Sequence, residues 1–158
     1  MMENGTKSAI FKCLEAYGVP FVVIGGHAVN YHGFIRATED VDIVFLRTPA
    51  SEKKLFRALQ EIHASWISNE VDPDTGYEKE IPVSLEFLES NHLMMLSTDW
   101  GYLDIFDFIP GFPEMPTEEL FNTAENYRGT KIVSLEWLKK IKSASGRPRD
   151  LEDLKNLL

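Results

Sequence analysis

Residues 22–45 read VVIGGHAVNYHGFIRATEDVDIVF, and the fold of the whole chain turns on how that stretch divides. Residues 19–24 form a short apolar run bounded by Gly18 and Gly25, the pattern of a buried strand. Gly25-Gly26 follows at once, and residues 27–31 predict a short helix that Gly33 ends. Residues 40–46 then alternate, with Val41, Ile43 and Phe45 on one face of a second strand and Asp40, Asp42 and Val44 on the other. Strand, glycine turn, helix and strand in so short a span predict a sheet with helices against it.

Working outward, residues 6–17 place Ile10, Cys13, Leu14 and Tyr17 on one helical face, and Gly18 stops that helix. Thr48-Pro49 supplies a cap followed by proline at the first helical position, opening a helix to residue 62. Residues 68–80 (SNEVDPDTGYEKE) are polar and turn-rich and predict a mobile loop. Strands are expected at 82–88 and 93–96, and a firmer one at 102–109, closed by Pro110-Gly111. A capped helix follows at 117–124 and a short strand at 131–133. Ser134 caps a helix that runs to 144, and Gly146 ends it. The last helix, 150–158, points Leu151, Leu154, Leu157 and Leu158 inward. No repeat or dividing linker interrupts this order, so the expectation is one α+β domain over residues 1–158, a mixed β-sheet with flanking helices.

At 158 residues the chain can bury one core without staples, and 44% hydrophobic with 26% charged residues excludes a disordered composition. No apolar run approaches the ~20 residues of a spanning helix, so no membrane partner is expected. The first residues, MMENGTKSAIFKCLEAYG, lack a basic start followed by a long apolar stretch, so a signal peptide is not expected either. The single Cys13 reads as a small core residue, and a reducing cytoplasm is the expected compartment. A net charge of −9 argues against a protein that coats nucleic acid. The charge is uneven, however, because seven of the sixteen basic residues lie between Arg128 and Arg149, opposed there only by Glu136. That segment reads either as a solvated helix face or as a local phosphate-binding wall.

Asp40 and Asp42, two apart on a strand, emerge on the same face. Two carboxylates that close repel one another, and a divalent cation removes the conflict. Mg²⁺ suits the pair because it takes oxygen ligands and keeps room for water and phosphate. Gly25-Gly26 lets backbone amides approach an anion where side chains would intervene, although a tight turn alone also explains two glycines. A phosphate cradle close to a carboxylate pair supplies the parts that phosphoryl or nucleotidyl transfer requires. A third acid is expected from GYLDIFDFI, which offers Asp104 and Asp107 on opposite faces, and periodicity does not choose between them.

The segment IGGHAVNYHGFIRATEDVDIVF resembles the signature of the nucleotidyltransferase (DNA polymerase β-like) superfamily, in which Gly-Gly or Gly-Ser precedes a D-x-D pair. It is especially similar to small bacterial proteins with a GGHA…HG…R-x-T-x-D-hydrophobic-D pattern, related to AbiEii-type toxins. GYLDIFDFIPG resembles their third-acid strand, and the C-terminal LEWLKKIKSASGRPRDLEDLKNLL resembles their lysine-bearing helix and R/K-D-x-x-D-L helix. The resemblance covers blocks across most of the chain and leaves 68–80 unmatched. It implies a nucleotidyltransferase fold and a metal-dependent attack by a substrate hydroxyl on the α-phosphate of a nucleoside triphosphate. It assigns Asp40, Asp42 and Asp104 to catalysis and to Mg²⁺, with Mn²⁺ as substitute, and leaves Asp107 structural. Gly25 and Gly26 would seat the phosphates, and Lys142 becomes the triphosphate contact.

Arg36 reads equally as a phosphate ligand or as a salt bridge orienting the D-x-D strand, and Thr38 as a donor to phosphate or a brace for Asp40. His27 and His32 read chiefly as packing residues, as do Trp66, Trp100 and Trp137. Asp150 and Asp153 read as helix-dipole and solvation residues, with Asp150 a candidate to line the site by resemblance. The acceptor, whether small molecule, RNA or protein, is not readable. No acceptor-binding domain is visible beyond the core fold, so a partner protein or a second subunit of a homo-oligomer is expected to contribute. A catalytically silent nucleotide- or partner-binding module is the alternative.

Overall fold

The computed structural model describes residues 7–157, so the expectations placed on Thr6 and Leu158 lie outside the described residues. The chain runs α1 (Ala9–Ala16), β1 (Phe21–Ile24), α2 (Gly25–Tyr31), β2 (Val41–Phe45), α3 (Pro49–Glu61), β3 (Ser65–Val71) and β4 (Glu78–Pro82). It continues through α4 (Leu85–Ser90), β5 (Leu93–Thr98), β6 (Gly101–Phe106), α5 (Glu118–Thr123), β7 (Glu125–Tyr127), β8 (Thr130–Ile132), α6 (Leu135–Ser145) and α7 (Pro148–Asn156). The strands form one mixed sheet in the order β4-β3-β5-β6-β2-β1-β8-β7. β1 and β2 are antiparallel, whereas β2 runs parallel to β6 and β1 parallel to β8.

Burial explains why β1 and β2 sit at the centre. All four residues of β1 are buried, as are Val41, Ile43, Val44 and Phe45 of β2, which is the continuous apolar reading of strands covered on both faces. Toward β5 and β6 the two faces diverge. Met94, Leu96, Leu103 and Ile105 are buried, while Leu93, Met95 and Tyr102 are exposed on the opposite side. Cys13 is half-buried against the core, with its thiol 3.5 Å from the Ala58 carbonyl.

Several boundaries differ from the sequence reading. Residues 68–80 are an edge hairpin rather than a loop, with β3 and β4 closed by a turn in which the Asp72 carbonyl accepts from Gly76 N at 2.8 Å. The pairing was hidden because an edge ribbon that is polar on both faces shows no apolar alternation. The strand expected at 82–88 is instead α4, capped by the Ser84 hydroxyl accepting from Phe87 N at 3.1 Å. Trp66 stacks on Phe87 of that helix at 4.9 Å, and Trp137 is buried, but Trp100 is exposed at the β5–β6 turn. β7 was not foreseen; it pairs with β8 through a tight turn with Arg128 and Gly129 both at positive φ.

The largest correction concerns α7. It starts at Pro148, and Leu151, expected inward, is 50% exposed. The face turned inward carries Asp150 and Asp153, both buried, with Leu157 beyond them.

Candidate active site

The parallel pairing of β2 with β6 sets Asp42 directly beside Asp104, and the antiparallel pairing of β1 with β2 sets Ile24, the last residue before the glycines, beside Asp42. Adjacent strands lie about 4.8 Å apart, so two carboxylates in register on one face share a space. Burial first, and then the charge of Asp104 and a hydrogen bond to it, push the Asp42 carboxyl up to about 7. Burial raises Asp104 as well, with the Asp40 charge adding to it and the Arg147 charge opposing it. Near neutral pH the two acids share a proton between them. Asp40 stands one residue ahead of β2, exposed at the rim, where its backbone carbonyl accepts from the Thr38 hydroxyl at 3.4 Å. Among the described residues no three acidic, His or Cys side chains converge into a ready-made metal cage. The donor set nevertheless fits a hard divalent cation: two facing carboxylates whose conflict is relieved by a shared proton are relieved better by a cation that takes oxygen ligands.

The glycines are required by the same register. Gly25 has φ +69°, and a Cβ there would fall onto the Asp42 side chain, 2.9 Å from Asp42 Cβ. A Cβ on Gly26 would lie 2.9 Å from Thr38 Cβ and 3.3 Å from Arg36 Nη1. Gly25→Ala is therefore expected to lose about 2 kcal/mol or more, through left-handed strain and displacement of Asp42. A thermal melt within 1 °C of wild type (roughly a quarter to a half of a kcal/mol) would show that the turn relaxes instead.

The cations are organised by α7. Arg36 lines the cavity, and the carboxylate it pairs with is on α7 rather than on the D-x-D strand: its guanidinium forks onto Asp153, Nε to Oδ1 at 2.8 Å and Nη2 to Oδ2 at 2.9 Å. Lys142 is buried, its Nζ 3.1 Å from Asp150 Oδ1 and 3.0 Å from Asp153 Oδ2. Arg147 donates from Nε to Asp150 Oδ2 at 2.9 Å. Burial would raise both α7 carboxyls, but hydrogen bonds from Arg147, Ser145 and Lys142 to Asp150, and from Arg36 and Lys142 to Asp153, outweigh it and hold both below the usual carboxylate range. Asp150 does cap α7, accepting from Arg147 N at 3.2 Å, but the reading of Asp150 and Asp153 as solvated is overturned, since both are buried.

A cavity of about 500 Å³ brings together Gly25, Gly26, Arg36, Thr38, Asp40, Asp42, Asp104 and Lys142. It also takes in Arg147, Arg149 and Asp150, with Leu93, Met95 and Phe106 on another part of its wall. Sequence reasoning had Arg147 and Arg149 only as members of a basic segment. The signal that could have singled them out is R-P-R-D just after the αL glycine Gly146, where the chain must turn back on itself. His27 lines none of this. It is buried edge-on to Phe11 with ring centroids 5.9 Å apart, and burial chiefly, then the Arg36 charge, lowers it to about 4. His32 Nε2 lies 2.7 Å from the Val133 carbonyl, and Asp107 binds Arg47 and His92 away from the cavity.

No family model matches the chain, and no curated protein matches it. Solved structures do. The lincosamide antibiotic adenylyltransferase LnuA, with lincomycin bound, superposes with a TM-score of 0.59 at 21% identity, over 94% of this chain and 91% of that one. The antibiotic-resistance factor ANT(2'')-Ia gives 0.56 at 13% identity, over 92% and 77% of the two chains. An antigenic nucleotidyltransferase-like protein from Paracoccidioides brasiliensis gives 0.51 at 18% identity, over 92% and 70%. Architecture is shared far beyond sequence, and this chain has the fold of the nucleotidyltransferase superfamily.

Proposed function

We propose that this protein transfers a nucleoside monophosphate from a nucleoside triphosphate to a hydroxyl-bearing acceptor and releases pyrophosphate. The observation that carries the reading is the register of Asp42 against Asp104 in a cavity that also holds Gly25-Gly26 and four cationic side chains, Arg36, Lys142, Arg147 and Arg149. The acceptor oxygen forms a bond to the α-phosphorus, the bond from the α-phosphorus to the oxygen bridging to the β-phosphate breaks, and the hydroxyl proton passes to a carboxylate, a role we assign to Asp104. Asp40, Asp42 and Asp104 would hold Mg²⁺, or Mn²⁺ in its stead, which when bound neutralises charge on the triphosphate. Gly25 and Gly26 present backbone where no side chain fits, and Thr38 closes against them. Arg147, whose charge is felt by both Asp42 and Asp104, and Arg149 are assigned to the phosphates. Lys142 and Arg36, held by Asp150 and Asp153, supply fixed positive potential to that wall.

LnuA is an adenylyltransferase solved with lincomycin, and ANT(2'')-Ia has been solved with adenylyl-2''-tobramycin, which makes ATP the first nucleotide to try. The AbiEii-like blocks of sequence keep an RNA or protein acceptor, and a toxin role, as the second arm. We take residues 1–158 as a single nucleotidyltransferase domain, supported by one sheet that includes every described strand. We place it in the cytoplasm on its single cysteine; no helix among the described residues is long and apolar enough to cross a membrane.

The test is pyrophosphate release from each labelled triphosphate with Mg²⁺, alone and with lincomycin, tobramycin or transfer RNA. Release that disappears on chelation supports the reading. Triphosphate binding without release under every condition would make the protein a silent nucleotide-binding module. In the same assay, Arg147→Ala is expected to weaken triphosphate binding by about tenfold, the loss of one charge-assisted contact. Unchanged calorimetric affinity would move the phosphates elsewhere.

A further inference from the structure

The cavity does not end at the acids. On β5 and β6, Met95 pairs with Asp104, Leu93 with Phe106 and Ser97 with Tyr102, so these six side chains share one face of the sheet. Ser65 of β3 pairs with Ser97 and Trp66 with Leu96, and continuing that register sets Ile67 beside Met95. Ile67 in turn pairs with Glu80 of β4. One row therefore crosses the sheet as Glu80, Ile67, Met95, Asp104 and Asp42. Its middle is apolar and open: Met95 is 64% and Ile67 51% exposed, with Tyr102 55% exposed beside it. The opposite face of the same strands is packed into the core through Trp66, Met94, Leu96, Leu103 and Ile105.

Exposed apolar side chains that adjoin a polar cavity rather than lying scattered mark a binding surface. Two features of this one define its occupant. At the strand spacing of about 4.8 Å, Met95 lies about 5 Å and Ile67 about 10 Å from the Asp104 position, the length of a small organic molecule. The charged side chains placed on the row are all acids, Glu80 at one end and Asp104 and Asp42 at the other, whereas the cations line the cavity from elsewhere: Arg36 from the α2–β2 connection, Lys142 from α6, and Arg147 and Arg149 from the start of α7. A polyanion is repelled there, and a neutral or cationic molecule is not.

We infer that the open face of β3, β5 and β6 is the acceptor subsite, and that it takes a small hydroxyl compound with an apolar flank and neutral or positive charge. The flank lies over Met95, Ile67 and Leu93, beside Tyr102, and the hydroxyl is presented at Asp104. This rests on the transferase reading and gives its acceptor a chemical class.

The test uses full-length protein with methyl-¹³C methionine, Mg²⁺ and a non-hydrolysable ATP analogue, titrated with methyl, hexyl and octyl β-D-glucoside below their micelle concentrations. The Met95 methyl resonance is expected to shift, with hexyl glucoside binding at least about tenfold tighter than methyl glucoside. Met95→Lys and Ile67→Lys should each remove that chain-length dependence while the analogue still raises the melting temperature as in wild type. Affinity independent of chain length, or shifts confined to other methionines, overturns the inference. So does transfer RNA binding that Met95→Lys enhances, or a dimer in sedimentation that Met95→Lys dissociates. Failure of the nucleotide to stabilise any form would instead sink the transferase reading, since the glucoside series reports the face without it.

Discussion

Asp42→Asn is expected to reduce nucleotidyl transfer by roughly three orders of magnitude while raising the melting temperature of the metal-free protein at pH 8. The two effects share one cause. In the wild type the folded Asp42 carboxyl is pushed up to about 7, by burial first and by Asp104 next, against an ordinary value of 3.8. Between those values the folded state holds a proton that the unfolded state has released. The stability tied to this group is thus fully present below about pH 4 and is lost as pH rises through about 7. The amide carries no charge, so the variant escapes this loss. In a chain of this size each kcal/mol moves the melting temperature by about 2–4 °C, and a rise of several degrees is expected. Mg²⁺ should restore wild-type stability at pH 8 and leave Asp42→Asn nearly unmoved. Melts from pH 5 to 8, with and without chelator, decide it: a variant that tracks wild type in both series would mean that Asp42 and Asp104 do not burden each other.

Asp153→Ala should be the most destabilising single change near the site, costing about 3–5 kcal/mol and lowering the melting temperature by about 10 °C. Asp153 is fully buried and takes both arms of the Arg36 fork together with Lys142 Nζ. Its removal strands a guanidinium and half-strands an ammonium whose side chains are only 16% and 8% exposed. The network includes two cations of the cavity wall, so nucleotide should recover part of the loss by giving Arg36 and Lys142 a new anion. A melt unchanged within 1 °C (roughly a quarter to a half of a kcal/mol) would show that water already solvates these groups. Asp153→Asn, which keeps the shape and two acceptor-donor sites, is expected to fall between the two.

The two halves of the site were unequally legible. Gly25-Gly26 and the alternation through Asp42 are local patterns, and β1, α2 and β2 appear nearly where they were expected. The choice of Asp104 over Asp107 rested on resemblance alone, because both faces of that strand carry apolar residues. The register settles the geometry: Asp104 faces Asp42, while Asp107 lies past the end of β6 against Arg47. Where tertiary context outweighs pattern, the reading failed. The β3–β4 hairpin packs inward only near Trp66 and Ser68 and is polar over most of residues 68–80, too little buried surface to impose alternation, and α4 depends on a single Ser84 cap in a sequence of mixed propensity.

α7 marks the boundary between the two kinds of information most clearly. Its leucines at 151, 154 and 157 are the amphipathic pattern that sequence reasoning trusts, yet Leu151 is exposed and Asp150 and Asp153 are buried. A carboxylate enters a core only when cations meet it there, and the ones that meet Asp153 come from Arg36, 117 positions earlier, and Lys142. Pairing of that kind has no local signature. By itself the sequence determined the α+β class, the glycine turn and the strand that bears Asp42, because these follow from backbone sterics and side-chain alternation within a few residues. Only the tertiary structure decided which acids face one another, which cations α7 holds in place, and which face of the sheet stays open beside Asp104, because each depends on strands and helices meeting from distant parts of the chain.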